Sequence, residues 1–157
     1  MSGTPEEDAI SIERLVEEIE LKRITFFEIS ARRWNSDPGI SEEPHEEAQT
    51  SLNVMHRVDA HSISIRCRLT LSYKEGVVVA DGAAIFETRD RSSDPREVEI
   101  AEDVLVEFSR RVGIPALYPY LREAIQESAR KVRMKAPVLG LLRPGSLKLE
   151  QREDEDA

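Results

Sequence analysis

The sequence predicts an α+β fold, a four-stranded antiparallel sheet with C-terminal helices packed on one face. Three observations carry this. From Ile19 to Glu87 apolar side chains recur at every second position, in four runs separated by turn-forming residues. From Ile100 onward they recur every three or four residues instead. The two periodicities do not interleave, so strands and helices are segregated along the chain rather than arranged as strand–helix–strand units. A chain of 157 residues suffices for one domain with a sizeable core. That domain is expected over residues 9–149, flanked by a disordered segment at 1–8 and an acidic, disordered tail at 150–157.

The elements follow in order. Ala9 to Glu18 reads as a short helix with Ile12, Leu15, Val16 and Ile19 on one stripe. The first strand then alternates in short phases: Ile19 and Leu21, Ile24 and Phe26, then Phe27, Ile29 and Ala31. Its inward face flips between Phe26 and Phe27, so the strand is bulged or bent there. Either both faces are covered at that point or one phenylalanine faces a binding groove. Trp34 to Glu47 contains Asp37-Pro38-Gly39 and Glu42-Glu43-Pro44 and reads as an acidic loop. Leu52, Val54, His56 and Val58 alternate in a second strand. His61 to Tyr73 is the cleanest strand. Ile63, Ile65, Cys67, Leu69, Leu71 and Tyr73 face one way, and Ser62, Ser64, Arg66, Arg68, Thr70 and Ser72 the other. Lys74-Glu75-Gly76 turns the chain into a fourth strand, Val77 to Glu87, where Asp81-Gly82 suggests a mid-strand bulge.

Arg89 to Glu97 is a polar loop. Ile100 to Val112 is helical, with Val104, Leu105, Phe108 and Val112 on one face and Gly113 as its expected stop. The main helix spans Pro115 to about Met134. Proline is tolerated in a first turn, so the regular part is expected to start near Pro119. Leu117, Leu121, Ala124, Ile125, Ser128 and Val132 form its stripe, and Pro137 is expected to end it. Val138 to Leu149 is apolar and broken by Pro144-Gly145.

Composition excludes several functions. A net charge of -9 argues against nucleic-acid binding, which needs clustered positive surface, and against docking on anionic lipid. It fits a basic partner or simply solubility. Cys67 is the single cysteine, so no internal disulfide forms, which suits a reducing cytoplasm. Met1 to Asp8 lacks the basic and apolar regions of a signal peptide, and no apolar run reaches the roughly 18 residues of a membrane span. The expectation is a cytoplasmic protein. His45, His56 and His61 have no metal-ligand spacing, and His56 shares the apolar side of its strand. There is no phosphate-binding glycine loop, no nucleophile-elbow serine and no poised acid–base pair. Cys67 lies on an apolar strand face, as a buried hydrophobe rather than a reactive thiolate. The expectation is no enzyme and no cofactor or metal. Phe26, Phe27, Trp34, Met55, Val138, Leu139, Leu141 and Leu142 exceed what one sheet face and one helix stripe require. They either close a core or a subunit interface, or form a surface for extended polypeptide, which offers apolar segments and free backbone groups. An open sheet edge adds backbone pairing as a second means.

The run Ala116-Leu117-Tyr118-Pro119-Tyr120-Leu121-Arg122-Glu123-Ala124-Ile125 resembles the motif that opens the long helix of the SecB family of export chaperones and their relatives. The apolar Val138 to Leu142 and the acidic tail are similar to that family's later segments. The likeness spans about Ile19 to Leu149, with only Ile114 to Ile125 specific. It implies an ATP-independent holdase that covers apolar segments of unfolded clients, assembled as a tetramer, a dimer of dimers. Tyr118, Pro119, Tyr120, Leu121, Arg122, Glu123 and Ile125 would then start the helix and form subunit contacts. The charged helix Ala101 to Arg111 ahead of the motif departs from export SecB and resembles the SecB-like chaperones of toxin–antitoxin systems. Implied clients are therefore exported preproteins, handed to the SecA motor, or a dedicated antitoxin. The competing reading is a non-enzymatic regulatory or structural protein that binds one specific partner.

Overall fold

Strict alternation on the third strand builds the centre of the molecule. In the computed structural model, which describes residues 10–34, 49–89 and 100–135, Ile63, Ile65, Cys67, Leu69 and Leu71 are all buried. They lie on β3, Ser62–Tyr73. The other elements are α1 (Ile12–Glu18), β1 (Ile19–Arg33), β2 (Gln49–Val58), β4 (Gly76–Thr88), α2 (Glu102–Phe108) and α3 (Ile114–Lys131), with a π-helical turn at Ser109–Gly113 between the last two. The sheet is antiparallel throughout, in the order β1-β4-β3-β2. The two edges are therefore β1 and β2. The α+β reading of the sequence holds, with α3 packed across one face of the sheet, mainly over β4 and β1.

The bulge expected between the two phenylalanines is present. Phe26 pairs with Gly82 and Glu28 with Asp81, so Phe27 is an extra residue on β1. A second register shift falls between Leu21 and Arg23. The irregularity expected in the fourth strand at Asp81-Gly82 is instead carried by β1, because β4 pairs regularly with β3 through Cys67↔Gly82 and Arg68↔Asp81. Gly82 serves close approach. A Cβ there would lie 3.2 Å from both the Phe26 ring and the Thr25 carbonyl oxygen.

The helical half departs from the sequence expectation in three places. Gly113 stops nothing: its φ of -63° and ψ of -55° are helical, and the chain runs from α2 through the π turn into α3. The π turn's wider step keeps Phe108, Ser109, Gly113 and Ile114 all buried. Inside it the Ser109 hydroxyl donates to the Leu105 carbonyl at 2.9 Å. Glycine is required at 113 because a Cβ would lie 2.5 Å from Cγ1 of Ile65. Second, Pro119 sits inside α3 rather than in its first turn, where Pro115 stands. Third, α3 ends at Lys131, well before Pro137. Arg133 adopts a left-handed φ of 58°, its N–H donates to the Arg130 carbonyl at 3.0 Å and the Met134 N–H to the Ala129 carbonyl at 2.9 Å. That is a Schellman ending, with buried Met134 as its apolar anchor. The Arg33 guanidinium donates to the Arg133 carbonyl at 2.7 Å and ties this end to β1.

The stripe Leu117, Leu121, Ala124, Ile125 and Ser128 is buried as its spacing required, and Val132 packs partly buried against the core. Of the stripe expected on the first helix, Leu15 of α1 and Ile19, the first residue of β1, are buried and Ile12 partly so, whereas Val16 is exposed. The core joins these residues to Val78, Ala80, Ala84 and Phe86 of β4, and Phe86 meets Phe108 edge to face at 5.1 Å. Residues 1–9, 35–48, 90–99 and 136–157 lie outside the described residues. The expectations for the termini, both loops, Pro137, Val138, Leu139, Leu141 and Leu142 fall among them.

The Gly113 contact has a measurable consequence. Alanine is favoured over glycine by about 1 kcal/mol in a helix, whereas overpacking a core costs about 1–3 kcal/mol. The contact with Ile65 decides the sign. Gly113→Ala is expected to lower unfolding stability in urea, and a stabilised variant would contradict the packing described.

Candidate functional site

Alternation on β3 puts Arg66 and Arg68 on the face of the sheet opposite the helix. Register then decides what meets them. Met55 of β2 is opposite Arg66, and Ala83 and Asp81 of β4 are opposite Arg66 and Arg68. Small Ala83 lets the Arg66 side chain reach across β4 to β1. Its guanidinium carbon lies 4.2 Å from the centre of the Phe27 ring. The bulge that makes Phe27 an extra residue on β1 is what turns its ring onto this face. Phe27, Arg66 and Met55 thus form a row across the outer face, with Phe27 55% and Met55 46% exposed.

A charged cluster holds the row. Arg66 Nε donates to Asp81 Oδ1 at 2.9 Å and Arg66 Nη2 to Asp81 Oδ2 at 2.8 Å, a bidentate pair. Arg68 Nη1 reaches Asp81 Oδ2 at 3.3 Å and also bonds Glu28 Oε2. Asp81 is only 3% exposed. Its hydrogen bonds from Arg66, opposed by burial and supported by the Arg66 and Arg68 charges, hold its carboxyl below the usual aspartate range. The same bond pushes Arg66 upward, and the bond to Glu28 does so for Arg68. Asp81, Arg66 and Arg68 are each shifted toward the charged form, so the cluster is a fixed scaffold, not an acid–base pair.

The expected site residues divide accordingly. Phe27 and Met55 stand together on the outer face. Phe26 is corrected to a packing residue, partly buried against the core with its ring over Gly82. Trp34 stands apart from the row and is pinned in place: Nε1 donates to the Tyr73 carbonyl at 2.7 Å, its N–H donates to the Glu75 carbonyl, and Arg32 stacks over its ring at 5.3 Å. Leu121 and Ile125 are corrected as well. Both are buried in the chain's own core because their spacing faces the sheet. Tyr118 is half-buried, and burial pushes its hydroxyl pKa up. Pro119, Tyr120 and Glu123 are exposed on α3, and Arg122 is partly so. The sequence reading missed the cluster of Arg66, Arg68, Glu28 and Asp81. Two arginines on the wet face of a strand otherwise rich in serine were the available signal.

Burial pushes the Cys67 thiol up to about 12. Among the described residues no group of His, Cys, Asp or Glu side chains is arranged to hold a metal. No helix among them is long and apolar enough to cross a membrane.

No protein-family profile matches the chain. A curated relative does: SecB-like chaperone SmegB of Mycolicibacterium smegmatis is 33% identical over 148 residues, 93% of this chain and 92% of the relative. Among solved structures, the Mycobacterium tuberculosis Rv1957 SecB-like chaperone, in complex with a ChAD peptide from the Rv1956 HigA1 antitoxin, superposes with a TM-score of 0.63. The likeness covers 83% of this chain and 92% of that one at 18% identity, and it concerns the fold. A four-stranded antiparallel sheet backed by a helix on one face, with Phe27, Met55 and the arginine cluster on the other, is the architecture shared with that chaperone, and the curated relative sets the class as chaperones. Within that class, this chain belongs to the SecB-like chaperones.

The cluster makes a prediction about pH. Because the folded pKa of Asp81 is depressed, its contribution to stability is complete above the ordinary aspartate range and is lost as pH falls through the lowered value. Both arginine side chains are about 40% exposed, so solvent screening limits that contribution. Asp81→Asn is expected to cost about 1–2 kcal/mol at neutral pH. The gap to the wild type should close with acidification, as followed by urea unfolding at a series of pH values. A gap that widened in acid would contradict the assignment.

Proposed function

We propose that this chain is an ATP-independent holdase, which keeps a client polypeptide unfolded and soluble by covering its apolar segments. The observation that carries this reading is the row of Phe27, Arg66 and Met55 on the open sheet face of a SecB-like chaperone. A flat ring and a flexible thioether accept many side-chain shapes. The bidentate Arg66–Asp81 pair fixes the cation over the ring and so keeps an otherwise polar sheet face adhesive at that point.

The client favoured here is a dedicated antitoxin rather than an exported preprotein delivered to SecA. The charged helix ahead of the long helix supports this choice, as does the antitoxin peptide bound by the structural neighbour. The assembly proposed is a homo-oligomer, a dimer of dimers in the cytoplasm. Tyr120, 48% exposed, with Pro119 and Glu123 on the outward side of α3, supplies contact surface. Tyr118 and Arg122 would support it from its margin, and Val138, Leu139, Leu141 and Leu142 are proposed to extend the client surface.

The test is dilution of a chemically unfolded protein into buffer without nucleotide, followed by light scattering. The wild-type chain should suppress aggregation near stoichiometric ratio. Phe27→Ser is expected to weaken suppression several-fold with its circular dichroism unchanged, since burying one phenylalanine against a client is worth about 1.5–3 kcal/mol. Full suppression by that variant would show that the row does not hold the client.

A further inference from the structure

The end of the molecule where α3 stops carries a charge opposite to that of the chain as a whole. Six exposed cations gather there: Arg33 at the end of β1, Lys74 in the turn between β3 and β4, and Arg130, Lys131, Arg133 and Lys135 on and just after the last turn of α3. The three segments are fastened together. The Arg33 guanidinium donates to the Val132 and Arg133 carbonyls at 3.4 and 2.7 Å. The Tyr73 hydroxyl donates to the Lys135 carbonyl at 3.1 Å, and the Lys135 N–H donates to Glu75 Oε2 at 2.8 Å. A Cβ on Gly76 would lie 2.6 Å from the Met134 sulfur, so the turn sits directly against the helix end.

Local structure uses only part of this charge. A helix C-terminus carries about half a negative charge and attracts cations, and Arg33 meets its carbonyls. Glu75 is engaged by the Lys135 backbone, and Glu127 pairs with Lys131 at 3.5 Å. Among the described residues no carboxylate lies within ion-pair distance of Lys74, Arg130, Arg133 or Lys135. Like charges gathered this closely repel, in a chain whose net charge is -9. The chain supplies a counterpart of its own. It leaves the described residues at Lys135, inside the patch. Residues 150–157 hold Glu150, Glu153, Asp154, Glu155 and Asp156 against the single cation Arg152. Residues 136–149 connect the two and include Pro144-Gly145, a turn-forming pair. As a random coil, a connection of that length spans about 20 Å. It sets the acidic segment at an effective concentration of millimolar order beside the patch.

We infer that the acidic segment 150–157 docks on this cationic end of its own chain. Charge complementarity and the length of the tether carry the choice of occupant. Docked there, the segment covers the cations against other acidic chains and nucleic acid, so the molecule presents one sign of charge to its surroundings. The contact joins exposed side chains, so salt weakens it.

Energy transfer reads the contact in the full chain. Trp34 is the single tryptophan and is held at this end by its Nε1 bond to the Tyr73 carbonyl at 2.7 Å. Ala157→Cys gives a site for a dansyl acceptor, while buried Cys67 stays unlabelled. Transfer should fall at least about twofold between about 0.05 M and about 0.5 M salt. Arg130→Gln combined with Lys135→Gln should give the high-salt value at low salt with circular dichroism unchanged. Neutralising the five acidic residues of the segment, Glu→Gln and Asp→Asn, should do the same. Labelled chain refolded with an excess of unlabelled Trp34→Phe chain should keep its transfer. Transfer indifferent to salt, or to either set of substitutions, would overturn the docking. So would loss of transfer in the excess of unlabelled chain, because the segment would then seat on a neighbouring copy.

Discussion

The helical layer is seated on the sheet by the close approach of Gly113 to Ile65, over a strand whose helix-facing residues are small. Ala80, Gly82 and Ala84 occupy the middle of β4 on the helix side, and Gly113 brings the start of α3 against Ile65. Close approach matters because dispersion falls steeply with separation and a core void is costly. A helix seated this deeply fills the core over β4 and β1. It leaves β2 at the margin of the helical layer, with half-exposed apolar side chains on its inner face. One packing constraint thus fills the core over β4 and β1 and leaves the inner face of β2 only partly covered.

The outer face depends on the same central strand. Ala83 and Asp81 on β4 are short, so long side chains from β3 cross them to reach β1. Asp81 holds two arginines at once, and Glu28, just past the bulge, takes the second. The bulge, the buried carboxylate and the exposed Phe27 are therefore one arrangement. A polar cluster of this kind contributes little net stability when its arginines are half in water. What it supplies is position, since it keeps an aromatic ring and a cation in fixed relation on a surface that would otherwise be a field of serines.

Much of this was legible in the chain. Alternation on β3 and the stripe on α3 need no tertiary knowledge, and two adjacent phenylalanines cannot share one face of a regular strand. The misreadings have physical causes. Gly113 carries the composition of a helix stop, and only the proximity of Ile65 shows that it is a packing glycine. Asp81-Gly82 resembles a bulge, but the extra residue is on the neighbouring strand, where the Phe26 ring needs the space that glycine leaves. Local spacing put Leu121 and Ile125 in the motif and in the core stripe together, and burial shows which role each fills. The cluster around Asp81 depends on register between three strands, which no single segment encodes.

The central claim is that client polypeptide meets this chain on the open face of its sheet, at Phe27 and Met55, not through the helix-packed core. Hydrogen exchange measured on the chain alone and with a saturating unfolded client tests it most directly. The account predicts added protection around Phe27 and Met55, with exchange in Leu117 to Ala129 unchanged. Protection that appeared only along α3, with β2 and the bulge exchanging as before, would contradict it.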